Sequence, residues 1–358
     1  MHVGYACRHT GACCGAGWPL PVEHGVAPAL AAAVSDGCVR PADDTAEWMT
    51  PHAAAPDGVA GTLRLLPDGH CVFHQAAPGG GRQCAVHAAL GHAHLPAACR
   101  HFPRVCLVDG RGVHVTLSHF CPTAAALLVA AEGAVSIVEG PAPVPGRDVP
   151  EGLDARDAWP PLLTPAVLMD LEGYDAWERH MVETIAGARM RGRSAAGAVA
   201  RLAADARVLQ AWRPGGQPLA EAVAMLADRG DDRDEDRLDA RGLFDEARAS
   251  CRAPWTWDAA PADLAALDAR FVAPGWDGVD DVVRRYLAAH AFASWEAYQA
   301  GGGLAVVRAV ARALAVVRIE AARAAGLAGT EIDRAMITAT IRRADLLLRH
   351  YATFDGLA

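Results

Sequence analysis

The sequence predicts an α+β protein, in which a small Cys/His-rich metal-binding domain with short hairpins precedes an all-α helical bundle domain. Nine of the ten cysteines and twelve of the fifteen histidines lie before residue 122. Beyond a stretch rich in proline and glycine, the chain changes to alanine-rich segments with helical periodicity. We therefore expect a cysteine-cluster metal-binding domain at 1–139, a linker at 140–161 and a helical domain at 162–358.

The composition is typical of a globular protein and argues against some classes of binding partner. Its 358 residues are 52% apolar and 21% charged, and the net charge is −9. Because no dense basic run is present, we do not expect nucleic acid as a partner. No apolar run is long enough to span a bilayer, and the first residues lack the pattern of a secretory signal. These features predict a cytoplasmic protein with no membrane partner.

Short extended segments and turns are expected to dominate the first domain. Residues 18–22 should be extended, because a residue that precedes proline is disfavoured in a helix. Pro-Asp-Gly and Asp-Gly turns predict hairpins at 62–73 and 105–117, and apolar and polar residues alternate after the second turn. Between the hairpins, residues 78–81 should form a flexible link. Residues 84–95 should form one or two helical turns that end before a proline.

The second domain is predicted to be a helical bundle. Two helices are expected at 177–212 and another after Pro218, whereas the charged stretch 228–237 should be a solvated loop. The clearest helices are expected at 277–299, 304–325 and 330–351. The middle one of these is apolar nearly all round and should be central. The last should begin with a capping box formed by Thr330 and Asp333.

The density of thiols and imidazoles is the strongest functional signal, because such soft ligands favour metal ions and iron–sulfur clusters. Thiols persist in a reducing compartment, so metal binding is favoured over the alternatives of disulfides and inert buried thiols. Arg82, Arg100 and Arg104 could favour the thiolate form that a metal requires. No C-x-x-C pair and no ferredoxin spacing occurs. From the residues alone, the metal site is of unknown type, with more candidate ligands than one ion needs.

The order of these residues resembles a known family. The chain contains C-x5-C-C near its start, then C-x-F, C-x-x-H and L-P-x-x-C-R-x-F-P-R. This set resembles the YkgJ-type cysteine-cluster family, a zinc- or iron-chelating domain that includes the flagellin lysine-N-methylases. The family opens with C-x-x-C-G-x-C-C, and here Thr10 stands at the second cysteine position. Residues 284–292 and the closing helix are similar to the helical bundle of the flagellin-methylase branch.

The resemblance implies a ligand set and a cofactor. The cysteines that match the family are the implied metal ligands: Cys7, Cys13, Cys14, Cys71, Cys84, Cys99 and Cys121. They would hold an iron–sulfur cluster, with 4Fe-4S favoured, or zinc. Beside the resemblance, His87, His101 and His119 are secondary candidates because histidine is a common metal ligand. The remaining cysteines are expected to be ordinary thiols: Cys38, Cys106 and Cys251.

Three functions follow as alternatives. The first is a metal-binding cysteine-cluster protein, and the second, implied by the resemblance, is a protein lysine N-methyltransferase that uses S-adenosylmethionine on a substrate such as flagellin. The third is a structural-zinc module joined to a helical interaction domain. The chain has no lysine, which excludes a P-loop, and no G-x-G-x-x-G follows a predicted strand. Whether the protein is an enzyme stays open, and no catalytic residue is assigned.

Overall fold

Small sheets and short helices form the first part of the chain, and longer helices form the second. The computed structural model describes residues 4–8, 10–51, 58–77, 80–141, 152–157, 159–187, 192–227, 229, 239–251, 258–299 and 301–351. Its strands are β1 (Pro21–Glu23), β2 (Met49–Pro51), β3 (Val59–Leu63), β4 (His74–Ala76), β5 (Arg82–Cys84), β6 (Arg104–Asp109), β7 (Gly112–Leu117), β8 (Gly152–Asp154), β9 (Leu162–Thr164) and β10 (Val167–Leu168). The predicted mixture of helix and small sheets, with a helical C-terminal region, is confirmed.

The longest helices lie in the second half of the chain. They are α1 (Ala27–Ser35), α2 (Ala85–Leu90), α3 (Ala97–His101), α4 (Pro122–Ala130), α5 (Leu171–Ala186), α6 (Ala195–Leu209), α7 (Leu219–Ala227), α8 (Ala240–Ala249), α9 (Leu264–Leu267), α10 (Asp280–Ala291), α11 (Ala305–Ala328) and α12 (Arg334–Asp345). Among the described helices, none combines the length and the apolar character needed to cross a bilayer.

The strands form four small sheets. β3 lies between β1 and β2 in an antiparallel sheet, and β4 and β5 form an antiparallel pair. β6 lies between β7, which is antiparallel to it, and β8, which is parallel to it. β9 and β10 form the fourth, two-stranded sheet. The extended segment expected at 18–22 overlaps β1.

The predicted turn at 67–69 is present, but the strand before it has other partners. Leu65 pairs with Cys71, and the backbone N–H of Leu66 donates to the carbonyl of His70 at 2.7 Å. The preceding strand β3 pairs along its length with β1 and β2 instead. The hairpin is therefore only a tight turn at the end of a three-stranded sheet. Of the predicted link at 78–81, Pro78 and Gly79 lie outside the described residues.

The second hairpin is confirmed, with β6 and β7 in continuous register from the pair Arg104–Leu117 to the pair Asp109–Gly112. The predicted alternation along β7 is wrong at its C-terminal end, where Thr116 and Leu117 are both buried. The Thr116 hydroxyl donates to the carbonyl of Ala289 in α10 at 2.9 Å. The helical region thus covers the face of β7 that we expected to be polar and exposed.

Part of the segment expected to be a linker belongs to a sheet. β8 lies within 140–161 and pairs in parallel with β6 through Cys106, Leu107 and Val108. A Cβ atom at Gly152 would lie 2.1 Å from the carbonyl oxygen of Cys106, so only glycine permits this close approach. Residues 142–151 and 158 of the expected linker lie outside the described residues.

The helices expected after residue 162 are present with shifted ends. α5 and α6 divide the segment 177–212 as predicted, and α7 follows Pro218. α10 ends at Ala291, well short of residue 299, because Ala293 has a φ of 56° and its N–H donates to Glu178. A short 3₁₀ helix covers Trp295–Tyr298. Except for Arg229, the charged stretch 228–237 lies outside the described residues.

Helix α11 is central, as its apolar surface predicts. It packs against α6, α8, α10 and α12, and fifteen of its residues are buried. The capping box expected at Thr330 is wrong, since the Thr330 N–H bonds back to the carbonyl of Ala325 at the end of α11. Asp333 caps α12 instead, and its carboxylate accepts from the N–H of Met336 at 2.7 Å.

Two main apolar cores are present. The smaller contains Leu20, Leu30, Trp48 and Phe73 together with Cys14 and Cys71. The larger extends through the helices and also includes Leu107 of β6 and Leu128 of α4. Strand β6 and helix α4 lie within the range 1–139, yet their buried side chains Leu107 and Leu128 pack with the helical region.

Candidate thiol site

Five cysteines from four separate segments meet beside the smaller core. Cys13 and Cys14 lie in a 3₁₀ turn, Cys71 in the bridge with Leu65, Cys84 at the end of β5, and Cys99 in α3. The Cys14 thiol hydrogen-bonds to those of Cys13, Cys71 and Cys84. Cys99 lies close enough to Cys13, Cys71 and Cys84 to feel their charges. We call these five residues the thiol cluster.

Backbone bonds fix the segments that carry the cluster. The Cys14 N–H donates to Gly11 at 3.0 Å, which closes the turn, and the Cys71 N–H donates to the Cys14 carbonyl at 2.7 Å. Gly11 has a φ of 68°, and a Cβ atom there would lie 2.6 Å from Nε2 of His74. Glycine at residue 11 is therefore needed both for the turn and for the approach of β4.

Helix α3 is anchored to the first sheet through its N-terminus. Its Ala97 N–H donates to Oε1 of Glu23 in β1 at 2.9 Å. The Arg100 guanidinium donates to the carbonyl of Leu95 at 2.6 Å, across the turn that precedes the helix. These two bonds position Cys99 near Cys13, Cys71 and Cys84. They also bring the Glu23 carboxylate close to Cys99.

The thiols of the cluster change one another's pKa values. A hydrogen bond from Cys14 lowers the pKa of Cys84 to about 7 against the effect of burial, and the backbone N–H groups of His87 and Val86 assist. Contact with Cys14 also lowers the pKa of Cys13. Contacts with three thiols raise the pKa of Cys14, and burial together with neighbouring thiolates raises that of Cys99. The thiolate form is thus favoured at Cys84 and Cys13 and opposed at Cys14 and Cys99.

Two of the expected ligands lie in a separate group around Tyr5. The Tyr5 hydroxyl lies 3.8 Å from Sγ of Cys121 and also contacts Cys7. The Arg104 guanidinium lies 5.3 Å from the centre of the Tyr5 ring. Cys121 precedes α4 and packs with Leu117 apart from the smaller core, while Cys7 is exposed. The seven expected ligands are thus divided into the thiol cluster and this pair.

The arginines expected to stabilise thiolates make other contacts. Arg82 donates to the carbonyl of His74 at 2.8 Å, Arg100 bonds to Leu95, and Arg104 lies over Tyr5. The lowered pKa of Cys84 comes from a neighbouring thiol and from backbone N–H groups. The local signal for this was the position of Cys84 directly before a helix, where free N–H groups point outward.

The histidines expected as secondary ligands occupy different places. The His87 ring packs edge-on against His92 with centres 5.9 Å apart. His101 is buried in the last turn of α3, two residues after Cys99. His119 is fully buried 5.6 Å from the Tyr286 ring, and burial together with Arg349 lowers its pKa to about 3. His119 therefore belongs to the packing between β7 and the bundle.

His74 is a candidate ligand that sequence reasoning did not single out. It is 4% exposed, and neither ring nitrogen has a hydrogen-bond partner among the described residues. It lies opposite Cys84 in the pairing of β4 with β5, and its ring stacks on His70 at 4.9 Å. Burial lowers its pKa to about 4, so the ring is neutral at pH 7. Only the strand pairing, which was not predicted, could have indicated it.

None of the ten cysteines, all of which lie in the described residues, forms a disulfide bond. Of the three expected to be ordinary thiols, Cys38 is exposed, Cys106 is buried in β6 and Cys251 packs against the larger core. Within the described ranges, no three side chains among His, Cys, Asp and Glu are arranged so that they could hold a metal ion. The thiols of the cluster hydrogen-bond to one another instead.

A serine, an aspartate and a histidine also meet at the edge of the bundle. Ser118 Oγ donates to Oδ2 of Asp345 at 2.7 Å and lies 2.8 Å from Nε2 of His350. In a hydrolase triad, the histidine lies between the serine and the carboxylate. Here both groups contact the serine, which is 1% exposed. The contacts connect the end of β7 to α12 and do not prepare a nucleophile.

Comparison with known proteins gives no relative: no family model, no curated protein and no solved structure matches this chain.

Proposed function

We propose that the thiol cluster binds a metal centre, with an iron–sulfur cluster of the 4Fe-4S type favoured and zinc as the alternative. The observation that carries the proposal is the proximity of thiols from four segments of a chain in which no cysteine forms a disulfide bond. An inert buried cysteine behaves as a small apolar side chain and needs no second thiol beside it. Five thiols in contact are typical of a soft-metal site.

The electrostatics of the cluster favour a bound cation. Burial and mutual repulsion oppose a second and third thiolate, and the Glu23 carboxylate near Cys99 adds further negative potential. A metal ion removes this obstacle because a coordinating thiol is deprotonated outright, and the ion replaces the protons. The metal would therefore supply positive charge at the thiol cluster.

The donor set fits the proposed centre in number and chemistry. Four thiolates satisfy either one zinc ion or one 4Fe-4S cluster, and the thiol cluster offers five. His74 adds a neutral, buried imidazole without a hydrogen-bond partner among the described residues. Coordination requires the side chains to rotate from S–H···S contacts toward a common centre. Cys7 and Cys121, implied by the family resemblance, would be outside this first set.

The proposal is tested by anaerobic purification, a visible absorption spectrum and analysis for iron, sulfide and zinc. Iron and sulfide near four per chain with a brown colour would support the 4Fe-4S centre. One zinc per chain without colour would support the zinc alternative, because zinc is d¹⁰. That result would also favour a structural module joined to a helical interaction domain. A protein free of all three, purified without chelator, would overturn the proposal.

The methyltransferase alternative rests on the family resemblance. It would use S-adenosylmethionine and a protein substrate such as flagellin. Calorimetric titration with S-adenosylmethionine tests it independently of the metal: saturable binding would support it, and no heat at millimolar concentration would oppose it.

A further inference from the structure

A cavity of about 920 Å³ lies between the first part of the chain and the bundle. Helix α3 forms part of its wall through Ala98 and His101, whereas Cys99 of the same helix belongs to the thiol cluster. The lining also includes the 3₁₀ helix Trp295–Tyr298, α11 and residues 347–350, which follow α12. This volume is within the range of sites for small organic molecules.

The charge of the cavity is opposite to that of the protein. Its described lining contains three arginines, Arg104, Arg312 and Arg349, and a single carboxylate, Glu296. The whole chain carries a net charge of −9. Burial raises the pKa of Glu296, and the nearby charge of Arg312 opposes this shift. A concave site with net positive charge concentrates anions.

Arg312 is the arginine that a ligand would engage. Arg349 lies 3.3 Å from Asp345, and Arg104 lies over the Tyr5 ring. The buried Nε of Arg312 has no hydrogen-bond partner among the described residues. A buried donor without a partner is unfavourable, so a ligand that accepts a hydrogen bond from it gains affinity.

Other polar atoms around the cavity share this property. Neither Oε1 nor Nε2 of the Gln299 amide, nor Nδ1 of His290, has a partner within the described part of the chain. Burial lowers the pKa of His290 to about 3, so its ring is neutral at pH 7. The site therefore offers the Arg312 guanidinium together with the neutral side chains of Gln299 and His290. After small side-chain rotations, these groups could surround an oxyanion.

An aromatic wall lies on the side of the N-terminal segment. Trp18 stacks on the ring of His350 at 4.4 Å and lies 5.5 Å from the ring of Phe102. Trp295 and Tyr298 line the cavity as well. Such rings favour a flat apolar portion of a ligand by offset or edge-on stacking.

We propose that this cavity binds a small organic anion, with a planar ring against Trp18 and Phe102 and a carboxylate or phosphate held by Arg312 and Gln299. This site is distinct from the thiol cluster, and its occupancy does not depend on a metal there. Its occupant would lie one helix away from the cluster, because α3 contributes to both.

Calorimetric titration with benzoate, phenyl phosphate, benzyl alcohol and inorganic phosphate tests the proposal. We expect saturable binding of benzoate or phenyl phosphate at least tenfold tighter than that of benzyl alcohol. The tighter of the two identifies the oxyanion, and weak binding of inorganic phosphate shows the contribution of the ring. Equal affinity for benzoate, phenyl phosphate and benzyl alcohol would overturn the proposal. The absence of binding of every probe at roughly 10 mM, which corresponds to a binding free energy of about −3 kcal/mol, would also overturn it.

Variants assign the binding to this cavity. Arg312→Gln should weaken binding of the tighter anion by about tenfold or more, because a charge-assisted hydrogen bond is lost. Arg308→Gln is the matched control, since Arg308 lies one turn earlier on α11 and pairs with Glu246 at the surface. Gln299→Leu provides a second test if Arg312→Gln does not fold, as judged by circular dichroism. Unchanged affinity in folded Arg312→Gln, or in Gln299→Leu, would contradict the proposal.

Discussion

Cys84 shows most clearly how local chemistry prepares the proposed metal site. Its sulfur accepts hydrogen bonds from the Cys14 thiol and from the N–H groups at the start of α2. These donors stabilise a thiolate before any metal binds. The sequence indicates the helix start, but the contact with Cys14 joins two residues that are 70 positions apart in the chain.

Replacing Cys84 by serine should remove most of the bound metal. Serine is a favoured residue at a helix N-cap, so α2 should persist while the thiolate is lost. Iron, sulfide and zinc analysis measures the change. Cys251→Ser is the control, because Cys251 packs against the larger core and should leave the metal content unchanged. Full metal content in Cys84→Ser would show that Cys84 is not a ligand.

The pKa of Cys84 predicts a pH dependence in the metal-free protein. Its folded pKa is lowered to about 7, so the thiolate forms as pH rises through 7 and is lost below it. The rate of alkylation of Cys84 by iodoacetamide, followed by mass spectrometry, should rise to half its maximum near pH 7. Cys99 should stay unlabelled over this range because burial raises its pKa. A midpoint above pH 9 for Cys84 would contradict the prediction.

Among the elements, the β6–β7 hairpin is attached to the bundle by a buried charge network. Arg111 bonds to Asp109 and Glu178 and stacks over the Tyr174 ring at 3.9 Å. Glu178 also accepts from the N–H of Ala293, where α10 has ended. The network therefore connects β6, β7, α5 and the end of α10. Its residues are ordinary in the sequence, which is why sequence reasoning did not identify them.

Arg111→Met should lower the free energy of unfolding by about 3–5 kcal/mol, because it leaves the buried Glu178 without its ion-pair partner. Urea unfolding measures the loss. In Arg156→Met, the corresponding loss should be much smaller, since Arg156 and Asp154 are both largely exposed and solvent screens their ion pair. Equal losses in the two variants would show that the network does not stabilise the docking of the hairpin.

At the scale of the whole molecule, the two apolar cores predict two levels of stability. The smaller core is adjacent to the thiol cluster, and the larger joins β6, α4 and the helices. A metal that binds only the folded cluster should stabilise the smaller core selectively. Its removal should thus affect the first part of the chain more than the bundle.

After chelation of the metal, the two cores should unfold in two separate transitions in a calorimetric scan. We expect treatment with a strong chelator to lower the Tm of one transition by roughly 10 °C, with a second transition little changed. Hydrogen exchange would assign the first transition to the strands β1–β5. If the whole chain shifts as one transition, the two cores unfold cooperatively and the prediction fails.

Several elements were predictable because their signals are local. The Asp-Gly turn predicted the β6–β7 hairpin, and the apolar surface of α11 predicted its central place. The end of α10 was not predictable, because Glu178 holds the chain after Ala291 from a distant helix. The start of α12 was assigned to Thr330 because the sequence does not show that its N–H bonds back to α11.

By itself the sequence determined that thiols are concentrated before residue 122, that this part forms short strands and turns, and that helices follow. These properties depend on composition and on periodicity over a few residues. Only the tertiary structure decided which thiols meet: it joined five of the expected cysteines, placed Cys7 and Cys121 beside Tyr5, and positioned His74 against Cys84. The physical reason is that strand pairing and core packing between distant segments bring these side chains together, and no local pattern encodes those contacts.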